Sequence, residues 1–299
     1  MVTKMRLVNG EGPKEVYKEA AQILQEGGLV AFPTETVYGL GGNALDSQAA
    51  KKIYEAKGRP SDNPLIVHIA SIDALEELTT GVTEQARRLA EKFWPGPLTM
   101  ILQKSDKVPL GTTGGLDTVA IRMPNHPIAL RLIKESGIYI AAPSANTSGR
   151  PSPTMASHVQ EDLEGKIDMI LDGGMVEVGI ESTIVDLTGE VPTILRPGCI
   201  TKEMLESVLG SVEIDAAILD KKGAVSGKPK APGMKYKHYA PKAQLTIIQG
   251  AKEKVVARIC QLSEQGKAEG KKVGIIATDE TMECYRVGEV RSIGSRKEE

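Results

Sequence analysis

Short apolar runs and helical stretches alternate irregularly along residues 1–210, and this pattern limits the folds that the chain can adopt. The runs have the length and apolar character of buried strands. They cover residues 29–31, 65–70, 98–103, 118–123 and 138–142. Helical periodicity falls between some of these runs but not others, so the regular repeat of a doubly wound sheet is missing. The sequence therefore predicts a mixed α/β (α+β) fold with a twisted, mixed, open sheet and helices.

Capping residues mark where three of the predicted helices begin. Ser47, Thr154 and Thr201 stand where helical stretches start, and a hydroxyl oxygen there can accept a hydrogen bond from a free backbone N–H group. A further helix is expected over residues 14–26, before a pair of glycines. These boundaries leave residues 34–42 as a loop between a strand and a helix.

The composition changes after residue 210. In residues 211–243, Gly, Pro and Lys dominate after an apolar patch at 214–219, and the stretch from Lys221 to Lys242 holds seven lysines without any Asp or Glu. This composition is typical of a linker. Strand, helix and strand patterns follow at residues 244–249, 252–265 and 272–277. We therefore expect a small Rossmann-like domain over 244–299, and its last residues indicate that it is truncated.

Composition also excludes several classes of protein. No apolar run is long enough to span a membrane, and the first residues lack the apolar core of a signal peptide. Cys199, Cys260 and Cys284 are far apart in the sequence and form no Cys-x-x-Cys pair, which argues against a zinc ribbon or a disulfide framework. The sequence thus predicts a cytoplasmic protein with no membrane association.

The charge balance argues against a dedicated nucleic-acid-binding domain. The net charge is −2 and aromatic residues make up 3% of the chain, whereas such domains are usually basic and often stack bases on aromatic rings. The lysine-rich linker is a local exception. Weak RNA contact through that linker remains an open prediction.

The loop over residues 57–64 indicates an anion site. Lys57 and Arg59 stand on this loop, next to Pro60 and ahead of Pro64, so the backbone that carries the two cations is restricted. Arg offers a planar fork of donors and Lys a mobile charge, both suited to phosphate. A rigid polyphosphate site is one interpretation, and a solvated basic turn is the other.

Two further loops strengthen the first interpretation. Residues 32–41 and 141–153 each follow a strand-like run and are rich in hydroxyl, amide and backbone-bending residues. Ligand-binding loops collect at such strand ends. The chain has neither a P-loop nor a dinucleotide fingerprint. A bound nucleotide would therefore depend on side-chain cations, for which Lys57, Arg59 and Arg196 are candidates.

Five motifs in order resemble the YrdC family. They are residues 33–40, Lys57-x-Arg59, and residues 63–65, 94–99 and 143–146. The segment 231–241 resembles the two-domain threonylcarbamoyl-AMP synthase branch of that family. The resemblance implies a catalytic domain over 1–210 with a concave cavity, a linker over 211–243 that acts as a lid, and the small domain over 244–299.

The resemblance also implies a reaction. L-Threonine, bicarbonate and ATP would give threonylcarbamoyl-AMP and pyrophosphate, which would make the chain an L-threonylcarbamoyladenylate synthase, a nucleotidyltransferase. Mg²⁺ would accompany ATP. A separate tRNA threonylcarbamoyltransferase would use the product to modify adenosine in ANN-decoding tRNAs. Glu35 and Glu181 stand beside the site loops, and the sequence leaves open whether they bind Mg²⁺ or orient a cation.

Site roles follow from the resemblance, residue by residue. Lys57 and Arg59 would hold the phosphates and stabilise the transition state. The L-threonine and bicarbonate residues would be Thr34, His68, Arg122, Ala142 and Ser182. The ATP residues would be Lys57, Arg59, Asn63, Thr118, Ser144, Asn146, Ser152, Arg196 and Tyr236. A histidine on an apolar run is more often a core residue, so the role of His68 rests on the resemblance.

Two other functions fit parts of the sequence. An RNA-binding module would use the lysine-rich linker. The net negative charge and the scarcity of aromatic residues argue against this function. A carbamoyl-adenylate module of hydrogenase maturation would normally accompany acylphosphatase-like and zinc-finger segments, neither of which is visible in this sequence.

Overall fold

The computed structural model describes residues 2–10, 12–219, 231 and 243–297, which fall into two compact units, Met1–Pro241 and Lys242–Glu299. Strands of the first unit are β1 (Lys4–Leu7), β2 (Val30–Pro33), β3 (Tyr38–Asn43), β4 (Ile66–His68), β5 (Leu98–Gln103), β6 (Thr118–Arg122), β7 (Ile140–Ala141), β8 (Met169–Asp172), β9 (Thr183–Asp186), β10 (Thr193–Arg196) and β11 (Glu213–Ile214). Helices of this unit are α1 (Lys14–Gln25), α2 (Ser47–Lys57), α3 (Ala74–Leu78), α4 (Glu84–Phe93), α5 (Leu110–Thr113), α6 (Pro127–Ser136), α7 (Ala156–Leu163), α8 (Lys202–Leu209) and α9 (Ala216–Leu219).

These strands form one mixed sheet, as the sequence predicted. Their order is β1-β8-β2-β3-β7-β4-β6-β5-β9-β10-β11. Parallel pairs such as β4–β6 and β5–β9 stand beside antiparallel pairs such as β5–β6 and β9–β10. Connections of both kinds are needed for this order, which explains why the sequence lacks a regular strand–helix repeat.

The two faces of the sheet are covered differently. One face packs against α2, α3, α4, α7 and α8 in the largest buried cluster, which includes Val67, Met100 and Ile121. On the other face, α1 and α6 cover the half that contains β2 and β8. The buried apolar cluster on the remaining half consists of strand residues and Ala231. On this half of the sheet, the described helices therefore do not cover the strand side chains.

The predicted loop over residues 34–42 is wrong in its second half, because residues 38–43 form β3. This strand pairs antiparallel with β2, with Phe32 opposite Gly39. A Cβ atom on Gly41 would lie 2.7 Å from Cγ2 of Ile140 and 2.8 Å from Cε1 of Phe32. The glycines that suggested a loop are instead needed because neighbouring side chains crowd this strand.

Two of the predicted helix caps are also wrong. Asp46, not Ser47, caps α2, and its side chain accepts a hydrogen bond from the backbone N–H of Gln48 at 2.8 Å. Helix α7 begins after Met155, which makes no side-chain cap, rather than after Thr154. Thr201 caps α8 as expected, with its Oγ1 accepting from the backbone N–H of Met204.

The second unit contains α10 (Lys252–Ala268), β12 (Gly274–Ala277), α11 (Asp279–Met282) and β13 (Glu289–Ser292). The strand predicted over 244–249 is absent, and Leu245 and Ile247 are exposed there. A strand needs a hydrogen-bonding partner, and β12 pairs in parallel with β13 across α11 instead. Among the described helices of both units, none is long and apolar enough to cross a membrane.

Candidate active site

Strand alternation brings three of the residues predicted to bind L-threonine to the half of the sheet that the described helices leave uncovered. His68 and Arg122 lie directly opposite each other in the β4–β6 pair and point to the same face as Ile66 and Ala120. Ser182 immediately precedes β9 and follows the same alternation. Its Oγ lies 2.8 Å from Oγ1 of Thr99 on β5. One face therefore presents an imidazole, a guanidinium and a hydroxyl.

Arg122 is held by a buried ion pair. Its Nη2 lies 2.7 Å from Oε1 of Glu35, and both side chains are shielded from solvent. Its Nε faces the backbone carbonyl of Gly96 at 3.4 Å. Glu35 therefore faces a cation of the protein itself, and its binding of Mg²⁺ stays a prediction.

His68 is a neutral residue at this face. Burial, followed by the positive charge of Arg122, lowers the pKa of His68 to about 3. Its Nδ1 lies 3.1 Å from the backbone carbonyl of Ile66, and its ring meets the ring of Phe32 edge-on. A neutral imidazole beside Arg122 leaves the guanidinium as the cation that would attract a carboxylate.

Arg196 connects Ser182 to the residues predicted to bind ATP. Its Nε donates to the backbone carbonyl of Ser182 at 3.0 Å, and its Nη2 donates to the Oγ of Ser182 at 3.1 Å. This two-point contact fixes the serine hydroxyl and the guanidinium in one orientation. Ser182, predicted to bind L-threonine, and Arg196, predicted to bind the phosphates of ATP, are thus adjacent.

Lys57 holds the loop that carries Ser144 and Asn146. Its Nζ donates to the backbone carbonyl of Ser144 at 2.5 Å and to the backbone carbonyl of Asn146. Oγ of Ser144 donates to Oδ1 of Asn146 at 2.5 Å. Burial, followed by the charge of Arg59, holds the pKa of Lys57 well below its ordinary value. The lysine therefore binds protein carbonyls rather than pointing into open solvent.

Arg59 stiffens its own loop. Its Nε donates to the backbone carbonyl of Asn63 at 3.2 Å, and its Nη2 donates to that of Pro64 at 3.0 Å. The side-chain Oδ1 of Asn63 is buried, and no donor among the described residues bonds to it. The Arg59 side chain is thus held against its own loop by two hydrogen bonds.

A cavity of about 880 Å³ opens on one side of this loop. Arg59, Tyr54, Asp62 and Gly114 are among the residues that line it. Burial raises the pKa of Tyr54 to about 12. Arg122 is not among the described residues that line this cavity.

The remaining predicted residues lie on loops and at strand ends around the site. Thr34 is buried, and its Oγ1 donates to the backbone carbonyl of Val37 at 2.7 Å. The backbone N–H of Ala142 donates to the carbonyl of Ile66 at 2.8 Å, one strand from His68. Ser152 hydrogen-bonds Glu181. Thr118 begins β6 on the face that carries Arg122. Tyr236 and nearly all of the lysine-rich linker lie outside the described residues, so the lid remains a prediction.

The described residues of this site do not form a cluster of metal-binding side chains. Within the described parts of the chain, no group of three or more His, Cys, Asp or Glu side chains is placed to hold a metal ion. The carboxylate of Glu35 faces Arg122, and that of Glu181 accepts from Ser152. Mg²⁺ therefore stays a prediction, as a partner of ATP.

Three contributors were missed in the sequence. Thr99 lies on the site face of β5, and strand alternation within residues 98–103 was a signal that could have found it. Asp162 accepts from the backbone N–H of Thr147 at 2.9 Å and pairs with Arg150. Gly96 faces Arg122 through its carbonyl. Neither Asp162 nor Gly96 carries a sequence signal for these contacts, because they arise from tertiary packing.

A mixed α/β fold with buried cations at the ends of its strands is the class that this geometry defines. The chain belongs to the Sua5/YciO/YrdC family. The family model described as "Telomere recombination" matches residues 22–198, and the model described as "Threonylcarbamoyl-AMP synthase, C-terminal domain" matches residues 200–299.

Its relatives are enzymes. The threonylcarbamoyl-AMP synthase of Pyrococcus abyssi is 54% identical over 94% of this chain and 80% of its own length. The synthase of Bacillus subtilis is 53% identical over 93% of this chain and 78% of its own length. The crystal structure of P. abyssi Sua5 complexed with L-threonine superposes with a TM-score of 0.91 at 51% identity, covering 98% of this chain and 84% of that one.

Proposed function

We propose that this protein is an L-threonylcarbamoyladenylate synthase, which makes threonylcarbamoyl-AMP and pyrophosphate from L-threonine, bicarbonate and ATP. The observation that carries the proposal is one sheet face on which Arg122, His68 and Ser182 lie together, with Arg196 bonded to Ser182. The names of the relatives and the bound L-threonine of the P. abyssi protein support it.

The threonine half of the site would consist of neutral and cationic groups. Arg122 would bind the substrate carboxylate, since a guanidinium matches carboxylate geometry. His68, Thr34 and Ser182 would contact the hydroxyl, the amine or the carboxyl group derived from bicarbonate. The amine would form a carbamate with bicarbonate, releasing water, and the backbone of Ala142 would line this end of the site.

The ATP half would be built from loops fixed by buried cations. Lys57 would hold the loop of Ser144 and Asn146 in the shape that receives the nucleotide. Arg59 and Arg196 would stabilise the phosphates as charge develops on the leaving group. Supporting ATP contacts would come from Asn63, Thr118, Ser152 and Tyr236.

The reaction is then a nucleotidyl transfer. A carbamate oxygen of N-carboxy-threonine attacks the α-phosphorus of ATP, a new phosphorus–oxygen bond forms, and the bond to the bridging oxygen of pyrophosphate breaks. Positioning and charge stabilisation are sufficient for this step, so no covalent nucleophile is required. Mg²⁺ would enter with ATP and neutralise phosphate charge.

Downstream, the product would pass to a tRNA threonylcarbamoyltransferase for modification of adenosine in ANN-decoding tRNAs. An acyl-adenylate is a mixed anhydride that water destroys, so rapid transfer or shielding is needed. The basic linker would supply the shield as a lid.

Pyrophosphate release tests the proposal. Purified protein with ATP, Mg²⁺ and bicarbonate should release pyrophosphate only when L-threonine is present, and Arg59→Ala should lose this activity. Release that is independent of threonine, or no release from folded protein that binds ATP, would contradict it. Mass spectrometry of the product separates adenylate synthesis from simple ATP hydrolysis.

A further inference from the structure

Glu35 has no role in the reaction described above, yet it forms a pair with the proposed carboxylate ligand. Its Oε1 lies 2.7 Å from Nη2 of Arg122, and the two residues are only 5% and 4% exposed. Buried charges are costly unless they are paired in good geometry. The pair therefore needs a structural or functional reason at this position.

The buried atoms show which side of Arg122 the glutamate occupies. Both carboxylate oxygens of Glu35 and Nη2 of Arg122 are shielded from solvent, and among the described residues none of these atoms has a hydrogen-bond partner in good alignment. Glu35 therefore contacts the guanidinium on its buried Nη2 side. Nε of Arg122 faces the carbonyl of Gly96, and no residue in the described ranges accepts from Nη1. Nη1 is the nitrogen left for a ligand.

The backbone around Glu35 is anchored as well. Its carbonyl accepts a hydrogen bond from the N–H of Val178 at 2.9 Å, and the next carbonyl, of Thr36, accepts from Gly179 at 3.0 Å. The carboxylate is thus presented from a fixed turn rather than from a free loop. A fixed anion behind a long, flexible side chain restricts the rotamers of that side chain before a ligand arrives.

We propose that Glu35 is a positioning residue that holds the guanidinium of Arg122 in the orientation that receives the carboxylate of L-threonine. This proposal rests on the proposed function. Holding the guanidinium in advance lowers the ordering cost of ligand binding. Misplacement of a binding group by a fraction of an ångström is sufficient to weaken such a contact strongly.

Calorimetry of L-threonine binding to the full chain tests this role. Glu35→Ala should weaken threonine binding about tenfold or more, because Arg122 loses its support. ATP binding should stay unchanged. Glu35→Gln should recover most of the affinity, since its amide oxygen has the same reach and can lie against Nη2. Glu177→Gln is the matched control. This exposed carboxylate acts on the nearby His126 together with Glu35 but does not pair with Arg122.

A double-mutant cycle separates positioning from general support of the fold. In an Arg122→Ala background, Glu35→Ala should cause no further loss of threonine affinity, because no guanidinium remains to be positioned. If Glu35→Ala alone fails to fold, Glu35→Gln and the doubly substituted protein, which lacks both buried charges, carry the comparison.

The outcomes are distinct. Additive losses in the cycle, wild-type affinity in Glu35→Ala, or tighter binding by Glu35→Gln would overturn the positioning role while leaving the proposed function intact. A wild-type protein that binds ATP but no L-threonine would overturn the proposed function itself, and the positioning role with it.

Discussion

Nζ of Lys57 donates a hydrogen bond to the backbone carbonyl of Ser144 at 2.5 Å, so the lysine of the Lys-x-Arg motif is bound to the protein itself. The sequence places these residues far apart, and the fold brings them together at the end of α2. The lysine is fully buried, and burial followed by the charge of Arg59 lowers its pKa, so backbone carbonyls rather than water accept the hydrogen bonds of Nζ. The motif therefore organises a loop as well as supplying charge.

Replacement of Lys57 by methionine should separate the effect of the lysine on activity from its effect on stability. Met has a similar length but neither charge nor donor, so it leaves the carbonyls of Ser144 and Asn146 without a partner. Removal of a buried charge offsets part of that cost. We expect a stability change within about 2 kcal/mol and a loss of about 100-fold in threonine-dependent pyrophosphate release. Urea unfolding and the release assay measure the two quantities, and wild-type rates would contradict the role.

Arg196→Lys should weaken the use of both substrates. A lysine cannot form the two-point contact with Ser182 that the guanidinium makes through Nε and Nη2. Because Ser182 belongs to the threonine half and Arg196 to the ATP half, we expect the KM of each substrate to rise about tenfold, the loss of one charge-assisted contact. Steady-state kinetics measure both values. Arg88→Lys, an exposed site on α4, is the control, and a rise confined to one substrate would contradict the connection.

Much of the sheet could be predicted from the sequence because the pattern of apolar residues in a strand is a property of a short segment. Residues 98–103 form a strand with the predicted bounds. The strand over 38–43 was missed because its glycines normally indicate a turn, and only the packing of Phe32 and Ile140 against them explains their presence. The strand over 244–249 was predicted but is absent, since alternation does not guarantee a partner strand.

The site residues differ in the same way. Strand parity places His68 and Arg122 on one face, and this could be inferred locally once the strands were known. The Glu35–Arg122 pair and the contact between Lys57 and Ser144 join distant segments, so no local pattern predicts them. The sequence indicated cations near a ligand. The fold determines which of these cations contact acceptor groups of the protein itself, as Arg122 and Lys57 do.

Stability should fall as the pH is lowered, because His68 is buried in its neutral form. Its pKa of about 3 in the folded protein lies below the ordinary value of 6.5, so the unfolded chain binds more protons between these values. The stabilisation is fully present above pH 6.5 and is lost as the pH falls toward 3. Each pH unit within that window costs about 1.4 kcal/mol.

Urea unfolding at several pH values checks this prediction. The free energy of unfolding of His68→Gln should depend less steeply on pH than that of the wild type between pH 4 and 6. Burial also lowers the pKa of His126, which adds a smaller effect in the same direction. The exposed His158→Gln is the control and should keep the wild-type slope. Equal slopes in His68→Gln and the wild type would contradict the assignment.

Gly41→Ala should strain the strands that carry Thr34 and Ala142. The added methyl group would lie 2.7 Å from Cγ2 of Ile140 and 2.8 Å from Cε1 of Phe32, closer than carbon atoms pack. Overpacking of this kind costs about 1–3 kcal/mol. Because β3 lies between β2 and β7, relief of the clash would displace the threonine half of the site, so the KM for threonine should rise more than the KM for ATP.

Gly81→Ala is the matched control for this substitution. Gly81 is exposed, and a Cβ atom there would meet no heavy atom within 4 Å. Loss of backbone freedom in the unfolded chain should then leave stability unchanged or raise it by up to about 1 kcal/mol. A comparable loss of stability in both variants would mean that β-carbon crowding at Gly41 is not the cause. A loss confined to Gly41→Ala, together with the selective rise in the threonine KM, would tie the glycine of this strand to the shape of the site.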